Sequence, residues 1–282
     1  MNLNRETIAA LRLHNQGLLR SQFREPYALV RHMGAMQAQD FAMSRWAVGI
    51  RLPGSTDKEV LEAIDKGTIV RTHLMRPTWH LVAAEDVRWL ISLTAPGIRS
   101  QMGGRHSDLG LTDAMLDKSK RLLFDALHGG HAMTRKEITA LFAQAGIQNS
   151  DNRLAHLLMS AELDLLICSG PSRGKDSTYA LMGERIPAYP VPEMEESLQR
   201  LAATYFTSHG PATLADFTWW SGLPVAKAKL ALELNKSHLL RYVAEEREYW
   251  MAAQTQDNQQ VARRVWLMPA FDEIMISYKD RS

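Results

Sequence analysis

The chain has 282 residues, 45% of them hydrophobic and 23% charged, and a formal net charge of +2. At roughly 100 to 200 residues per domain, that length implies two or three domains rather than one core. The composition excludes disorder over most of the chain, no apolar run approaches the roughly 18 residues of a membrane span, and the single cysteine, Cys168, excludes an internal disulfide and a Cys-rich zinc site.

The opening MNLNRETIAALRLHNQGLL carries charges within its apolar pattern and has no small-residue cleavage site, so it does not read as a secretory signal and a cytoplasmic protein is expected. Its residues Ile8, Leu11, Leu13, Leu18 and Leu19 predict an amphipathic helix. A turn at Glu25-Pro26 precedes apolar residues at three-to-four spacing over 27–36, a second helix. Gly34, near its end, allows another backbone to come close. After Pro53-Gly54-Ser55 a helix is predicted over about 57–66, stopped by Gly67. The β-branched stretch 68–72 and the segment 74–82 then read as paired strands, with a helix beginning near Ala84. Residues 99–106, Arg-Ser-Gln-Met-Gly-Gly-Arg-His, read as a flexible basic loop.

The middle of the chain repeats this order. Residues 122–127 end a helix that Gly129-Gly130 breaks, and Thr134 with Glu137 three residues on forms a capping box. A helix over about 152–163, a strand at 165–169, a glycine-rich turn at 170–174 and a strand at 178–181 follow. Three prolines within 187–192 mark a linker. Beyond it come helices over 194–208, 214–220 and 225–234 and a hairpin of 239–243 with 247–251. The fold class expected is mainly α with small β wings: three tandem winged-helix units, at 1–125, 126–186 and 193–255, followed over 256–282 by the start of a C-terminal β-barrel-like domain. Trp219-Trp220 reads as core of the third unit.

Residues 1–110 hold 14 Lys/Arg against 10 Asp/Glu, 111–190 hold 9 against 9, and 191–282 hold 10 against 12, so only the first third is positive. That leaves nucleic acid, an acidic ligand or neither open. Winged helices serve both DNA and protein partners, so the residues must discriminate. In Met36-Gln37-Ala38-Gln39-Asp40 an extended backbone would turn Gln37 and Gln39 to one side and Ala38 to the other. The amides could hold a water or a base edge, or cap a helix end. In Arg71-Thr72-His73-Leu74-Met75-Arg76-Pro77-Thr78-Trp79-His80 two arginines, two histidines and a tryptophan fall on neighbouring strands. Either they form a basic, aromatic surface for phosphates and an unstacked base, or they are a solvated wing with Trp79 in the core. Arg99 and Arg105 could grip phosphates or merely connect, and His128-Gly-Gly-His131 lacks the carboxylate a metal would want.

Taken in order, Gln37-Ala-Gln-Asp40, the run 71–90, the run 210–223, Leu267-Met-Pro-Ala-Phe-Asp-Glu273 and Tyr278-Lys-Asp-Arg281 resemble the AlkZ and YcaQ type bacterial DNA glycosylases. The resemblance implies tandem winged helices, a double-stranded DNA partner that is alkylated or crosslinked, and no membrane. It also implies excision of N7-alkylated purines or unhooking of interstrand crosslinks. Its catalytic signature is a glutamine, an apolar residue, and a second glutamine or an aspartate, which here is Gln37-Ala38-Gln39, the AlkZ version. Relatives continue into the rest of the barrel domain where this sequence stops at Arg281-Ser282, so a truncated C-terminal domain is expected.

Chemically, N7 alkylation makes guanine a cationic leaving group, so the glycosidic bond can break through an oxocarbenium-like state with little general acid. Gln37 and Gln39 would hold the attacking water and turn carbonyl dipoles to the developing charge. Asp40 would polarise that water or cap a helix. No metal or redox cofactor is required. Arg71, His73, Arg76, Trp79, His80, Arg99 and Arg105 are the expected DNA contacts, and with no heptad run to make a dimer a monomer is expected. A noncatalytic winged-helix regulator and a protein-interaction module are the competing readings.

Overall fold

The computed structural model describes residues 4–253 and 265–280. It is mainly helical, with small antiparallel sheets. After α1 (Arg5–Asn15) the chain makes α2 (Pro26–Met33), β1 (Met36–Gln37), α3 (Phe41–Gly49), α4 (Asp57–Asp65), β2 (Ile69–Leu74) and β3 (Thr78–Ala83), with sheet order β1-β3-β2. The long helix α5 (Val87–Asp108) leads to α6 (Asp113–Leu127), β4 (Ala132–Thr134), α7 (Arg135–Gln144), α8 (Arg153–Leu163), β5 (Ile167–Ser169) and β6 (Thr178–Leu181), with order β4-β6-β5. The short α9 (Met182–Arg185) precedes α10 (Met194–Ser208), α11 (Leu214–Ser221), α12 (Val225–Glu233) and the hairpin β7 (Leu239–Ala244) with β8 (Arg247–Ala252). There a single bridge from Ala212 to Trp250 stands where the other two units have a first strand. Thus helix, extended segment, two helices and hairpin recur three times. The one-turn α13 (Glu273–Ile276) closes the described chain. Of the segment expected to begin a C-terminal β domain, 256–282, residues 256–264 and 281–282, Arg281 among them, lie outside the described residues, and the described part, 265–280, forms the one-turn α13 and no strand.

Local chemistry starts these helices. Thr56 with Glu59, Thr134 with Glu137 and Thr213 with Asp216 form reciprocal capping boxes at α4, α7 and α11, each satisfying two otherwise orphaned backbone groups. Asp40 caps α3 by accepting from Met43 N at 3.0 Å. Gly34 ends α2 at φ 76°, and a Cβ there would stand 2.7 Å from Thr204 Cγ2 of α10, so the first and third units meet at a spot only glycine fits.

One core runs through β2, α5 and α10–α12, with Val70, Leu74, Leu90, Tyr205, Phe217 and Trp220 among its members. The first and second units keep smaller cores of their own around Leu29 and Met33 and around Leu123 and Phe142. α1 sets its apolar face on the third unit, where Ile8 and Leu11 lie against Tyr249 and Met251 of β8, and meets the first unit at its end, where Asn15 O lies 2.8 Å from His32 Nε2.

Residues 99–106 are not the loop expected from their glycines but the last turns of α5. Ile91, Ala95 and Ile98 bury a continuous helical stripe with Met102 packed beside it. Burial of that face outweighs the roughly 1 kcal/mol that each of Gly103 and Gly104 costs a helix.

Candidate active site

Edge strand β1 carries the glutamine triplet. Only one of its sides faces the sheet, where Met36 and Gln37 pair with Leu81 and His80 and Ala38 N donates to Trp79 O at 2.7 Å. Burial alternates as extended backbone requires: Ala38 is fully enclosed, Gln37 half-buried and Gln39 exposed. Asp40 then turns the chain into α3 as its N-cap.

Three further backbone groups of the triplet are held by side chains from elsewhere. Arg71, on β2, donates from Nε to Ala38 O at 2.9 Å and from Nη2 to Gln39 O at 3.4 Å. Its guanidinium lies 4.5 Å from the Trp79 ring centroid and 5.3 Å from that of Phe41, and burial lowers its pKa. Arg71 thus braces two carbonyls of the triplet. On the open side of β1, Gln37 N donates to Glu273 Oε1 at 2.6 Å. Arg76, at the turn between β2 and β3, donates from Nη2 to Gln37 Oε1 at 3.4 Å and lies over the Trp219 ring at 5.1 Å. Trp219, expected in the core, is instead 39% exposed, whereas Trp220 is buried. The two indoles, about 100° apart around α11, both reach α13: Trp219 Nε1 donates to Ile276 O at 2.9 Å and Trp220 Nε1 to Glu273 Oε2 at 3.2 Å.

Of the other expected DNA contacts, His73 and His80 are corrections. Both are buried, at 6% and 2% exposure. His73 Nδ1 pairs with the buried Glu162 of α8, and the Trp79 ring lies 4.3 Å from its own. His80 Nδ1 lies 3.1 Å from Thr78 O. The register sets the two rings on opposite faces: His73 lies across from Trp79 and is covered by the second unit through Glu162, whereas His80 shares the face of Thr72 and Gln37. Arg99 donates to Leu163 O and to Asp164 Oδ1 at the end of α8, tying α5 to the second unit, while Arg105 is exposed on α5.

Burial holds the His80 imidazole neutral, lowering its pKa from 6.5 to about 4. The unfolded chain binds the proton first, so stability is full above pH 6.5 and falls as pH drops through the window from 6.5 to 4, by about 3 kcal/mol from this group. Urea titrations at pH 7 and 4.5 should show that loss, and His80→Phe should flatten it; an equally steep fall in that variant would locate the effect elsewhere.

The motif 267–273 has no role legible in the sequence. In the structure that segment threads between the first and third units. Asp272 forms a two-pronged ion pair with Arg51, at 2.7 and 2.8 Å, with both side chains fully buried. Arg51 completes its five donors on Gln16 O, Gln16 Oε1 and Ala47 O, each at 2.9 Å. Tyr278 donates to His209 O, and Tyr205 to Ser277 O.

Arg76 and Trp219 also form part of the wall of a groove of about 1460 Å³ between α1, α11, the β7–β8 hairpin and the C-terminal segment. Arg12, Arg247 and Lys279 lie along it with Asp216, Glu248 and Asp280. The second helices of the three units differ in what they can present. α4 bears Asp57, Glu59, Glu62 and Asp65, and its end is docked on the second unit, where Asp65 accepts from Ser172 N and Oγ at 2.8 and 2.7 Å and Arg185 caps Ile64 O at 2.6 Å. α12 carries Lys227 and Lys229 and no acid before Glu233. Among the described residues no group of three or more His, Cys, Asp or Glu side chains is arranged to hold a metal ion, and no helix is long and apolar enough to cross a membrane.

The family model described as DNA glycosylase AlkZ-like matches residues 30–282. Among curated proteins, an interstrand DNA cross-link repair glycosylase of Streptomyces sahachiroi is 25% identical over 226 residues, which cover 75% of this chain and 61% of that protein. The chain thus spans about three fifths of the length of this relative. Among solved structures, the Streptomyces sahachiroi DNA glycosylase AlkZ matches with a TM-score of 0.74 at 20% identity, over 90% of this chain and 71% of that one, a likeness of fold.

Proposed function

Because the chain belongs to the AlkZ-like DNA glycosylase family, we propose that it hydrolyses the N-glycosidic bond of N7-alkylated purines in double-stranded DNA, as monoadducts or as interstrand crosslinks. The observation that carries this reading is the braced edge strand. Ala38 is enclosed, with its N–H bonded to Trp79 O and its carbonyl to Arg71 Nε, so Gln37 and Gln39 leave the same face of a hydrogen-bonded backbone. Two neutral amides in fixed register suit a reaction whose leaving group already carries positive charge. They hold the attacking water and turn carbonyl dipoles toward the sugar as it becomes an oxocarbenium-like cation. Asp40 is engaged as the cap of α3 and orients the triplet rather than touching the water. No metal or redox step is invoked.

The three recurring units are read as winged helices that embrace the duplex as a monomer of the cytoplasm. Arg76 and Arg105 face phosphates in this reading, joined by Lys227 and Lys229 on α12. The acidic, docked α4 leaves the first unit to serve as carrier of the triplet. Trp79 supports the site by packing against Arg71.

The test is incubation of the chain with duplex DNA containing N7-methylguanine, followed by hot alkali to cleave abasic sites. Base release well above the spontaneous rate is expected, with binding that shows no sequence preference and weakens steeply with salt as counterions are released. Release at the spontaneous rate with salt-dependent binding intact would leave a noncatalytic DNA-binding protein. Replacing Lys227 and Lys229 by Glu should weaken all duplexes alike and flatten the salt dependence by about two counterions.

A further inference from the structure

We propose that Glu273 is a positioning residue for the glutamine triplet, a carboxylate delivered by the C-terminal segment that fixes Gln37 through its backbone N–H; this rests on the glycosylase reading above. A two-residue edge strand is held weakly, since only one of its sides is paired. Gln37 N points away from β3, toward what in an open edge would be water. Here it meets Glu273 Oε1 at 2.6 Å, from a residue 236 positions away in sequence. The carboxylate is 2% exposed, and its other oxygen accepts from Trp220 Nε1 at 3.2 Å and from Ser277 Oγ, with His209 Nε2 at 3.7 Å. It cannot swing away from the strand without abandoning donors supplied by α11 and by its own turn.

The neighbouring residue makes the placement rigid. Asp272 is locked to Arg51 just beyond α3, so two successive carboxylates grip the chain on either side of α3, at Gln37 before it and at Arg51 after it. With Arg71 holding Ala38 O and Gln39 O from the opposite direction, each amide of the triplet leaves a backbone clamped between a buried anion and a partly buried cation. Burial raises the Glu273 carboxyl, but His209, Ser277 and the Gln37 N–H together outweigh it and hold the pKa at about 2. The group is thus an acceptor at every working pH. The consequence is that the triplet, though wholly within the first unit, is completed by the third unit and the C-terminal segment.

Glu273→Gln keeps the shape but sets an amide N–H against one of the present donors. Displacing a catalytic group by about 1 Å can cost 10²-fold in rate. Single-turnover base release from N7-methylguanine DNA should therefore slow roughly 10- to 100-fold, while the Kd for the same duplex stays within about twofold. A merely structural residue would move affinity and rate together. The second readout is the Gln37 amide proton, followed by NMR in the unaltered protein. It should resonate far downfield and exchange slowly, and in Glu273→Gln it should shift upfield and lose protection. A Glu273→Gln variant that folds and releases base at the original rate would overturn the proposal. So would a Gln37 amide that exchanges as fast as open backbone in the unaltered protein, a measurement that stands even if the variant fails to fold. If the unaltered protein releases no base, the glycosylase reading fails, and the amide signal still decides whether Glu273 holds the strand.

Discussion

Gln39→Ala should slow release of an N7-alkylated base by roughly 10² to 10³, the loss typical of one preorganised polar group directed at developing charge, while leaving DNA affinity nearly constant. Gln39 is suited to this test because its side chain is exposed and its backbone carbonyl is held by Arg71, so truncation removes the amide without disturbing the strand. Gln37→Ala should be at least as damaging, since Gln37 is half-buried and its Oε1 accepts from Arg76. The double variant should approach the spontaneous rate. Groups that act as a unit are not additive, so the double loss should fall short of the product of the singles. Single-turnover rates with saturating protein separate this chemistry from binding. Gln39→Ala at the original rate would remove the triplet from the reaction, and a fall in rate matched by a fall in affinity would make it a DNA contact.

The largest effect on stability should come from Asp272→Ala, which leaves the Arg51 guanidinium with no counter-charge in a fully buried site. Breaking such a pair from one side typically costs about 3 to 5 kcal/mol, because the remaining ion keeps its desolvation penalty. Three of the donors would still be met by Gln16 and Ala47, which places the loss nearer the lower figure. The paired change Arg51→Met with Asp272→Leu should recover much of it, as apolar replacements of buried ion pairs often do. Shifts in the urea midpoint measure both, provided the transition slope is unchanged. A single variant within about 1 kcal/mol of the unaltered protein would mean that the segment is held by Tyr278 and Glu273 rather than by this pair. Because Glu273 follows directly, Asp272→Ala should also reduce base release.

What the sequence determined by itself was local. Capping boxes such as Thr134 with Glu137 act over three residues, glycines such as Gly67 stop helices where they stand, and strand alternation already turned Gln37 and Gln39 to one side and Ala38 to the other. The order of helices and hairpins was legible for the same reason, and the triplet could be singled out because it fits a short contiguous pattern. The tertiary structure alone decided what each charged or aromatic side chain meets. Alternation placed His73 and His80 on strands but did not show that the second unit covers His73 or that His80 is buried on the face of Gln37, and the glycines of 99–106 gave no sign of the buried stripe that extends α5. Arg71 in sequence is a cation near a tryptophan, and in the fold it is the brace of two carbonyls. Trp219 and Trp220 are adjacent, yet one faces a groove and the other a buried carboxylate. Glu273 and Asp272 reach Gln37 and Arg51 across more than 200 residues. Periodicity and capping are energies of neighbours along the chain, whereas ion pairs and burial depend on which distant segments the shared core brings together.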